Sequence, residues 1–163
     1  MVDKHQMKDL IQSTLSEMGD RYASKDACNL VWCTGLVESD YRYIRQIEGP
    51  ARGFFQIEPQ TCSSAVENYF KYRKKLQVKV AEVTNTSESL WDDTKEETWD
   101  AVLESNIRAG IVHCRIKYWR APASMPDSVQ GYAEYWKRHY NTLLGKGEVE
   151  HFLRKVKKYV HFL

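Results

Sequence analysis

The stretch Asp26–Ser39, DACNLVWCTGLVES, decides the fold of this 163-residue chain. Nearly every position from Ala27 to Val37 is apolar, so a helix formed by this stretch would have no polar face to present to water. We therefore expect a helix that is buried on all sides, with the remaining elements packed around it. The stretch ends in the polar pair Glu38 and Ser39.

The segments on either side have the spacing of amphipathic helices. Apolar residues recur every three or four positions from Met7 to Met18, and Gly19 is a suitable stop. The tripeptide Pro-Gln-Thr at 59–61 is typical of a helix start. A further set of residues at helical spacing predicts one long helix that ends near the proline-containing loop 120–128: Trp99, Leu103, Ile107, Gly110, Cys114 and Tyr118.

The last part of the chain predicts two more helices. Aromatic residues from Tyr132 to Tyr140 fall on one helical face, and Gly145 is expected to stop that helix. We interpret Tyr132 and Trp136 as core residues, because aromatic stripes at helical spacing usually fill cores. The segment 149–163 is a basic amphipathic helix, which we expect to dock on the rest of the protein.

A charged segment at about 71–100 separates these regions. The basic tract Lys71–Lys79 and the acidic tract Glu82–Asp100 flank the sequence TNTS, which indicates a turn. We expect two polar helices or a helical flap whose charges face water, inserted in a single domain that spans 1–163.

Composition favours one compact domain and few kinds of partner. The hydrophobic fraction of 42% is enough for a single core, and the net charge of +2 is too small to predict a polyanion partner by itself. We expect no nucleic-acid partner, because one short basic tract is a weak signal. No apolar run is long enough to span a membrane. The spacing of the four cysteines fits neither a disulfide scaffold nor a metal pair, so we expect reduced, buried thiols, no metal and no cofactor.

Glu38 has the setting of a proton donor. A carboxyl group at the C-terminal end of a buried helix meets the negative end of the helix dipole, and we expect apolar neighbours from among Trp32, Phe54 and Phe55. Both effects raise the pKa of a carboxyl group, as a general acid requires near neutral pH. The alternative is that Glu38 only caps its helix or holds the following loop.

The loop after Glu38 favours the catalytic interpretation. It contains glycines, which allow close approach of a ligand, and then an aromatic pair and a Gln. This order resembles the soluble lytic transglycosylases and goose-type lysozymes of the lysozyme-like superfamily. The matching positions are Glu38, Ser39, Gly49, Gly53, Phe54, Phe55, Gln56, Ile57, Pro59 and Thr61.

Two later segments extend the resemblance over roughly 27–147. The sequence SNIRAGIVH fits the family's helix that begins near an Asn, and HYNTLLGKG contains the Tyr-Asn pair, here Tyr140 and Asn141. The pair is followed by Thr142-Leu143 where the family usually has Ala-Gly. The resemblance implies a mainly α, lysozyme-like fold, α+β at most with a very small β element, and a glycan-binding cleft.

The resemblance also implies an activity. Glu38 would be the sole acid and base of a lytic transglycosylase that cleaves the glycan strands of peptidoglycan, and the substrate-binding positions would be Ser39, Gly53, Phe55, Gln56, Tyr140 and Asn141. Two alternatives stay open. One is a hydrolytic muramidase that uses Glu58 or Glu48 as a second carboxylate. The other is a phage virion or tail structural protein that binds glycan without turnover.

The expected place of action is the bacterial cell wall. The N-terminal sequence MVDKHQMKDL lacks the pattern of a secretory signal. We therefore expect synthesis in a host cytoplasm, followed by release through a holin as a phage endolysin or delivery as a virion-associated enzyme. Virion or tail proteins are a second class of expected partner.

Overall fold

The computed structural model describes residues 2–141 and 145–163, and within these ranges it contains eight α-helices and no β-strand. The prediction of a mainly helical, single compact domain is confirmed. Two isolated β-bridges, Arg45 with Arg52 and Arg52 with Ile57, are the β structure of the described residues. The helices are α1 (Lys4–Met18), α2 (Lys25–Ser39), α3 (Pro59–Asn68), α4 (Lys74–Thr84), α5 (Glu96–Ser105), α6 (Ile107–Trp119), α7 (Val129–Trp136) and α8 (Val149–Lys157).

Helix α2 lies at the centre of the fold, as its sequence predicts. It packs against α1, α6, α7 and α8, and buries every residue from Ala27 to Val37. The Ser24 hydroxyl caps its start by accepting a hydrogen bond from the Ala27 amide at 3.2 Å. Asp40, in the left-handed conformation at φ 53°, ends it.

The outer helices α1 and α3 also agree with the sequence, whereas α8 ends at Lys157, before the end of the helix predicted over 149–163. Helix α1 ends at Gly19, and α3 begins with Pro59 in its first turn. Helix α8 docks through Phe152 and Val156, both fully buried, on α2 and α7. All four cysteines are buried and free, and no helix in the described ranges has the length and apolar character needed to cross a membrane.

The prediction of one long helix over 99–118 is wrong. The chain breaks at Asn106, whose extended backbone (φ −121°, ψ 98°) separates α5 from α6. The Asn106 side chain caps α6 by accepting a hydrogen bond from the Ala109 amide at 2.9 Å, and it donates one to the Thr84 carbonyl at 2.9 Å. The segment SNIRAGIVH, in which a helix start near the Asn was expected, thus contains the start of α6.

The expectation that segment 71–100 faces water is wrong for its inner side. Trp91 and Trp99 are fully buried and enclose the His113 ring of α6, at centroid distances of 5.2 and 4.5 Å. Asn85, in the left-handed conformation at φ 55°, ends α4 at the predicted turn. The charged residues therefore cover the outside of elements whose aromatic residues complete the core.

The helix predicted to run up to Gly145 is α-helical only as far as Trp136. Helix α7 ends at Trp136, and Lys137–Asn141 form one π-helical turn. The predicted stop cannot be compared directly, because residues 142–144, including the Thr142-Leu143 departure from the family pattern, lie outside the described residues.

Candidate functional site

An open cleft of about 810 Å³ lies at the C-terminal end of α2. One wall includes part of the loop 43–51 together with Gln56, Glu58 and Thr61, and the other includes Lys117 of α6 and the pair Tyr140 and Asn141. Glu38 lies on this cleft, so the structure brings residues from both ends of the predicted motif to one concave surface.

Glu38 is partly buried on the last turn of α2. Burial raises the pKa of its carboxyl group from 4.5 to about 7, because the charged form loses hydration. The Trp136 indole and the Lys117 ammonium group favour the ionised form and limit this rise in pKa. Glu38 is therefore a carboxyl group that can both give and accept a proton near neutral pH.

Trp136 of α7 is the direct partner of Glu38. Its indole Nε1 donates a hydrogen bond to Glu38 Oε1 at 2.8 Å, and its ring packs against Phe152 of α8 at 5.5 Å between centroids. The aromatic stripe in the sequence predicts Trp136 only as a core residue. A buried indole N–H generally needs an acceptor, but the sequence does not say which acceptor it finds.

Trp32, the aromatic residue of α2 that was expected beside Glu38, has other partners. Trp32 Nε1 donates to the Lys4 carbonyl at 3.1 Å, and its ring stacks on Phe162 at 5.1 Å. Trp32 and Glu38 are six residues apart on one helix and so face different directions. Burial of Glu38 against α7, rather than Trp32, accounts for its environment.

Ser39 connects the end of α2 to the glycine loop. Its hydroxyl donates to the Phe54 carbonyl at 2.7 Å and accepts from the Tyr41 amide at 3.1 Å. The side chain is buried and is not among the residues that line the cleft. In this position Ser39 holds the loop in place beside Glu38.

The glycine loop turns sharply at Gly53 and Gln56. Gly53 has φ +71°, and a Cβ atom there would lie 2.7 Å from the Leu103 carbonyl oxygen, so the position needs a glycine. Gln56 also has a positive φ of 46°, and its side-chain amide donates to the Gly53 carbonyl at 2.8 Å. Gln56 lines the cleft, whereas Gly53 and Phe55 line a separate apolar pocket of about 160 Å³.

Tyr140 closes the cleft from the opposite side. Its hydroxyl donates to the Phe55 carbonyl at 2.7 Å, which ties the π-helical turn after α7 to the glycine loop. Its neighbour Asn141 accepts a hydrogen bond from Lys137 Nζ at 3.2 Å. Both members of the Tyr-Asn pair therefore line the cleft, and the side chain of each is held by a hydrogen bond within the protein.

Glu58 is a second carboxyl group on the cleft. It is exposed and occupies the position before α3, without capping that helix through its side chain. Glu48, the other candidate, is exposed and is not among the residues that line the cleft. In the described residues no group of three or more His, Cys, Asp or Glu side chains is placed to hold a metal ion.

Comparisons of the chain with protein-family models, curated proteins and solved structures find no match. The resemblance to lytic transglycosylases thus stays a prediction from the motif, and the geometry of the cleft carries the functional argument.

Proposed function

We propose that this protein cleaves the glycan strands of peptidoglycan as a lytic transglycosylase, with Glu38 as both acid and base. The observation that carries the proposal is a partly buried carboxyl group, with a pKa of about 7, on the wall of an open cleft. An ordinary exposed carboxyl group is ionised at neutral pH and cannot donate a proton. A carboxyl group that is about half protonated there can do so.

In the proposed reaction Glu38 gives its proton to the oxygen that joins two sugars. The bond between that oxygen and the anomeric carbon breaks, and its electron pair stays on the oxygen. The N-acetyl carbonyl oxygen of the same sugar traps the resulting cation. The 6-hydroxyl oxygen then bonds to the anomeric carbon and displaces the N-acetyl oxygen from it, and the hydroxyl proton goes to Glu38. The product is a 1,6-anhydro sugar, and Glu38 regains its starting state.

Hydrolysis of the same bond is the second candidate, and the position of Glu58 supports it. A glycosidase needs a second carboxylate to activate water or to stabilise the cation. Glu58 lines the same cleft as Glu38. The two reactions differ in their products, because hydrolysis leaves a reducing end that is heavier than the anhydro end by one water.

The test is digestion of isolated peptidoglycan with analysis of the released fragments by mass spectrometry. Glu38→Gln removes the acid and keeps an oxygen that can accept the Trp136 hydrogen bond. The matched control is Glu67→Gln, an equal change at an exposed residue of α3 that forms an ion pair with Lys71. We expect anhydro fragments from the native protein and from Glu67→Gln, and none from Glu38→Gln.

Three other outcomes would change the conclusion. Fragment release by Glu38→Gln at the native rate would remove Glu38 from the mechanism. Reducing ends that disappear in Glu58→Gln would establish hydrolysis. Binding to purified sacculi without any released fragment would indicate a glycan-binding role, such as that of a virion component.

The proposed substrate places the action at the bacterial cell wall. Release through a holin and delivery from a virion are the two proposed routes to it.

A further inference from the structure

Lys117 of α6 places a fixed positive charge on the same cleft as Glu38. Its Nζ donates to the Tyr140 carbonyl at 2.9 Å and lies 4.2 Å from the centroid of the Tyr140 ring. Tyr140 is itself held by its hydrogen bond to the Phe55 carbonyl and by stacking on Tyr118 at 5.2 Å. The Lys117 ammonium group is therefore held by a residue, Tyr140, that has little freedom to move.

Lys117 acts on Glu38 at a distance. Its hydrogen bond goes to Tyr140, and the Glu38 carboxyl group is bonded to Trp136 instead. The positive charge nevertheless favours the ionised form of Glu38. Burial lowers the pKa of Lys117, and the charge of Glu38 opposes this effect by favouring the protonated form of Lys117. Lys117 and Glu38 are thus bonded to different partners, yet the charge of each affects the protonation of the other.

We propose that Lys117 is a positioning residue: its ammonium group, held by Tyr140, stabilises the carboxylate that Glu38 becomes when it gives up its proton. The inference rests on the proposed function, in which proton donation by Glu38 starts bond cleavage. A cation near the developing carboxylate makes Glu38 a stronger acid, and it needs no contact with the sugar to do so.

The other charged or titratable groups around Glu38 do not supply this effect. Burial raises the pKa of Cys114, Tyr118 and Tyr140, which keeps all three neutral. The remaining ionisable residues that line the described cleft are an exposed carboxyl group, an arginine paired with Glu104, an exposed lysine and an exposed tyrosine: Glu58, Arg45, Lys146 and Tyr43.

The indole N–H of Trp136 offers a readout that does not depend on catalysis. Because it is bonded to Glu38, its resonance in a ¹H–¹⁵N spectrum should change as that carboxyl group titrates. Trp136→Phe identifies the signal among the five tryptophans. Glu38→Gln should remove the titration and so confirms its origin.

The test variant is Lys117→Gln, which removes the charge and can still donate a hydrogen bond to Tyr140. The matched control is Lys117→Arg, which keeps the charge. We expect the Trp136 midpoint to lie near pH 7 in the native protein and in the Arg variant, and to rise by about one pH unit in the Gln variant. The alkaline limb of the cleavage rate should move by the same amount, with kcat lowered more than KM is raised.

An unchanged midpoint in Lys117→Gln would overturn the proposal. If that variant does not fold, Lys117→Met gives the same comparison with the aliphatic packing retained. A native protein that releases no wall fragments would refute the proposed function alone, because the Trp136 titration still reports whether Lys117 acts on Glu38.

Discussion

Replacing Glu38 by Gln should stabilise the folded protein above neutral pH. The folded protein binds the Glu38 proton more tightly than the unfolded chain does, because burial raises the pKa of this group from 4.5 to about 7. Below pH 4.5 both states are protonated, and Glu38 costs nothing. Between these two pH values the unfolded state ionises first, so stability falls as the pH rises, and above pH 7 the loss is complete.

The size of the effect follows from the two pKa values. At 1.36 kcal/mol per pKa unit, ionised Glu38 costs at most about 3 kcal/mol of folding free energy above pH 7. For a chain of this length that corresponds to a rise in melting temperature of about 6–12 °C when the charge is removed. Gln stays neutral at every pH and can accept the hydrogen bond from Trp136, so the substitution isolates the charge.

The assay is thermal and urea unfolding of the native protein, Glu38→Gln and Glu67→Gln at pH 4.5 and pH 8, at one ionic strength. We expect Glu38→Gln to match the native protein at pH 4.5 and to exceed it at pH 8. The exposed control should differ little at either pH. A stability difference that is equal at both pH values would show that Glu38 has an ordinary pKa, and the argument for a proton donor would fail with it.

Two further substitutions test the surroundings of Glu38. Trp136→Phe removes the N–H that favours the carboxylate and should raise the alkaline limit of activity by about one pH unit. The control is Trp32→Phe, because Trp32 is equally buried but donates its hydrogen bond to Lys4, and this change should leave the alkaline limit in place. Equal pH profiles for the two variants would contradict the role of Trp136 as the partner of Glu38. Gly53→Ala should cost at least about 1–2 kcal/mol in urea unfolding, because φ is +71° and the new Cβ would meet the Leu103 carbonyl. An unchanged urea midpoint would show that the loop relaxes without strain.

The helical fold was predictable where the local pattern and the tertiary environment agree. Helix α2 is apolar all round and is buried all round, and α1 stops at the glycine that its pattern indicates. The break between α5 and α6 was missed because apolar spacing continues through Asn106 without interruption. The signal was the Asn itself, whose side chain caps the new helix.

The buried side of segment 71–100 was missed for a different reason. Its charges dominate the composition, yet Trp91 and Trp99 are separated by several polar residues and reach the core through a 3₁₀ turn and α5. Two tryptophans in a polar stretch are a large amount of apolar surface. Given more weight than the surrounding charges, they would have predicted an element packed against the core.

The candidate site was predictable only for residues that lie close together in the sequence. Glu38 and Gln56 belong to one local motif, and both line the cleft. Trp136 lies 98 residues after Glu38, on α7, and no local pattern connects the two. Lys117 was missed because its neighbours in sequence look like any helical core. Both residues reach Glu38 because α6 and α7 pack against α2.

The arrangement of Trp136 and Lys117 around Glu38 accounts for a Glu38 pKa near neutral. A lysine in direct contact typically lowers the pKa of a carboxyl group by 1–3 units, which would leave Glu38 ionised and unable to donate a proton. Burial without any partner would raise the pKa further and make Glu38 too weak an acid. The structure avoids both limits, because Lys117 is bonded to the Tyr140 carbonyl while a neutral indole N–H takes the direct contact with Glu38. In the proposed mechanism, Tyr140 would affect proton donation by holding a cation near the carboxyl group and out of contact with it.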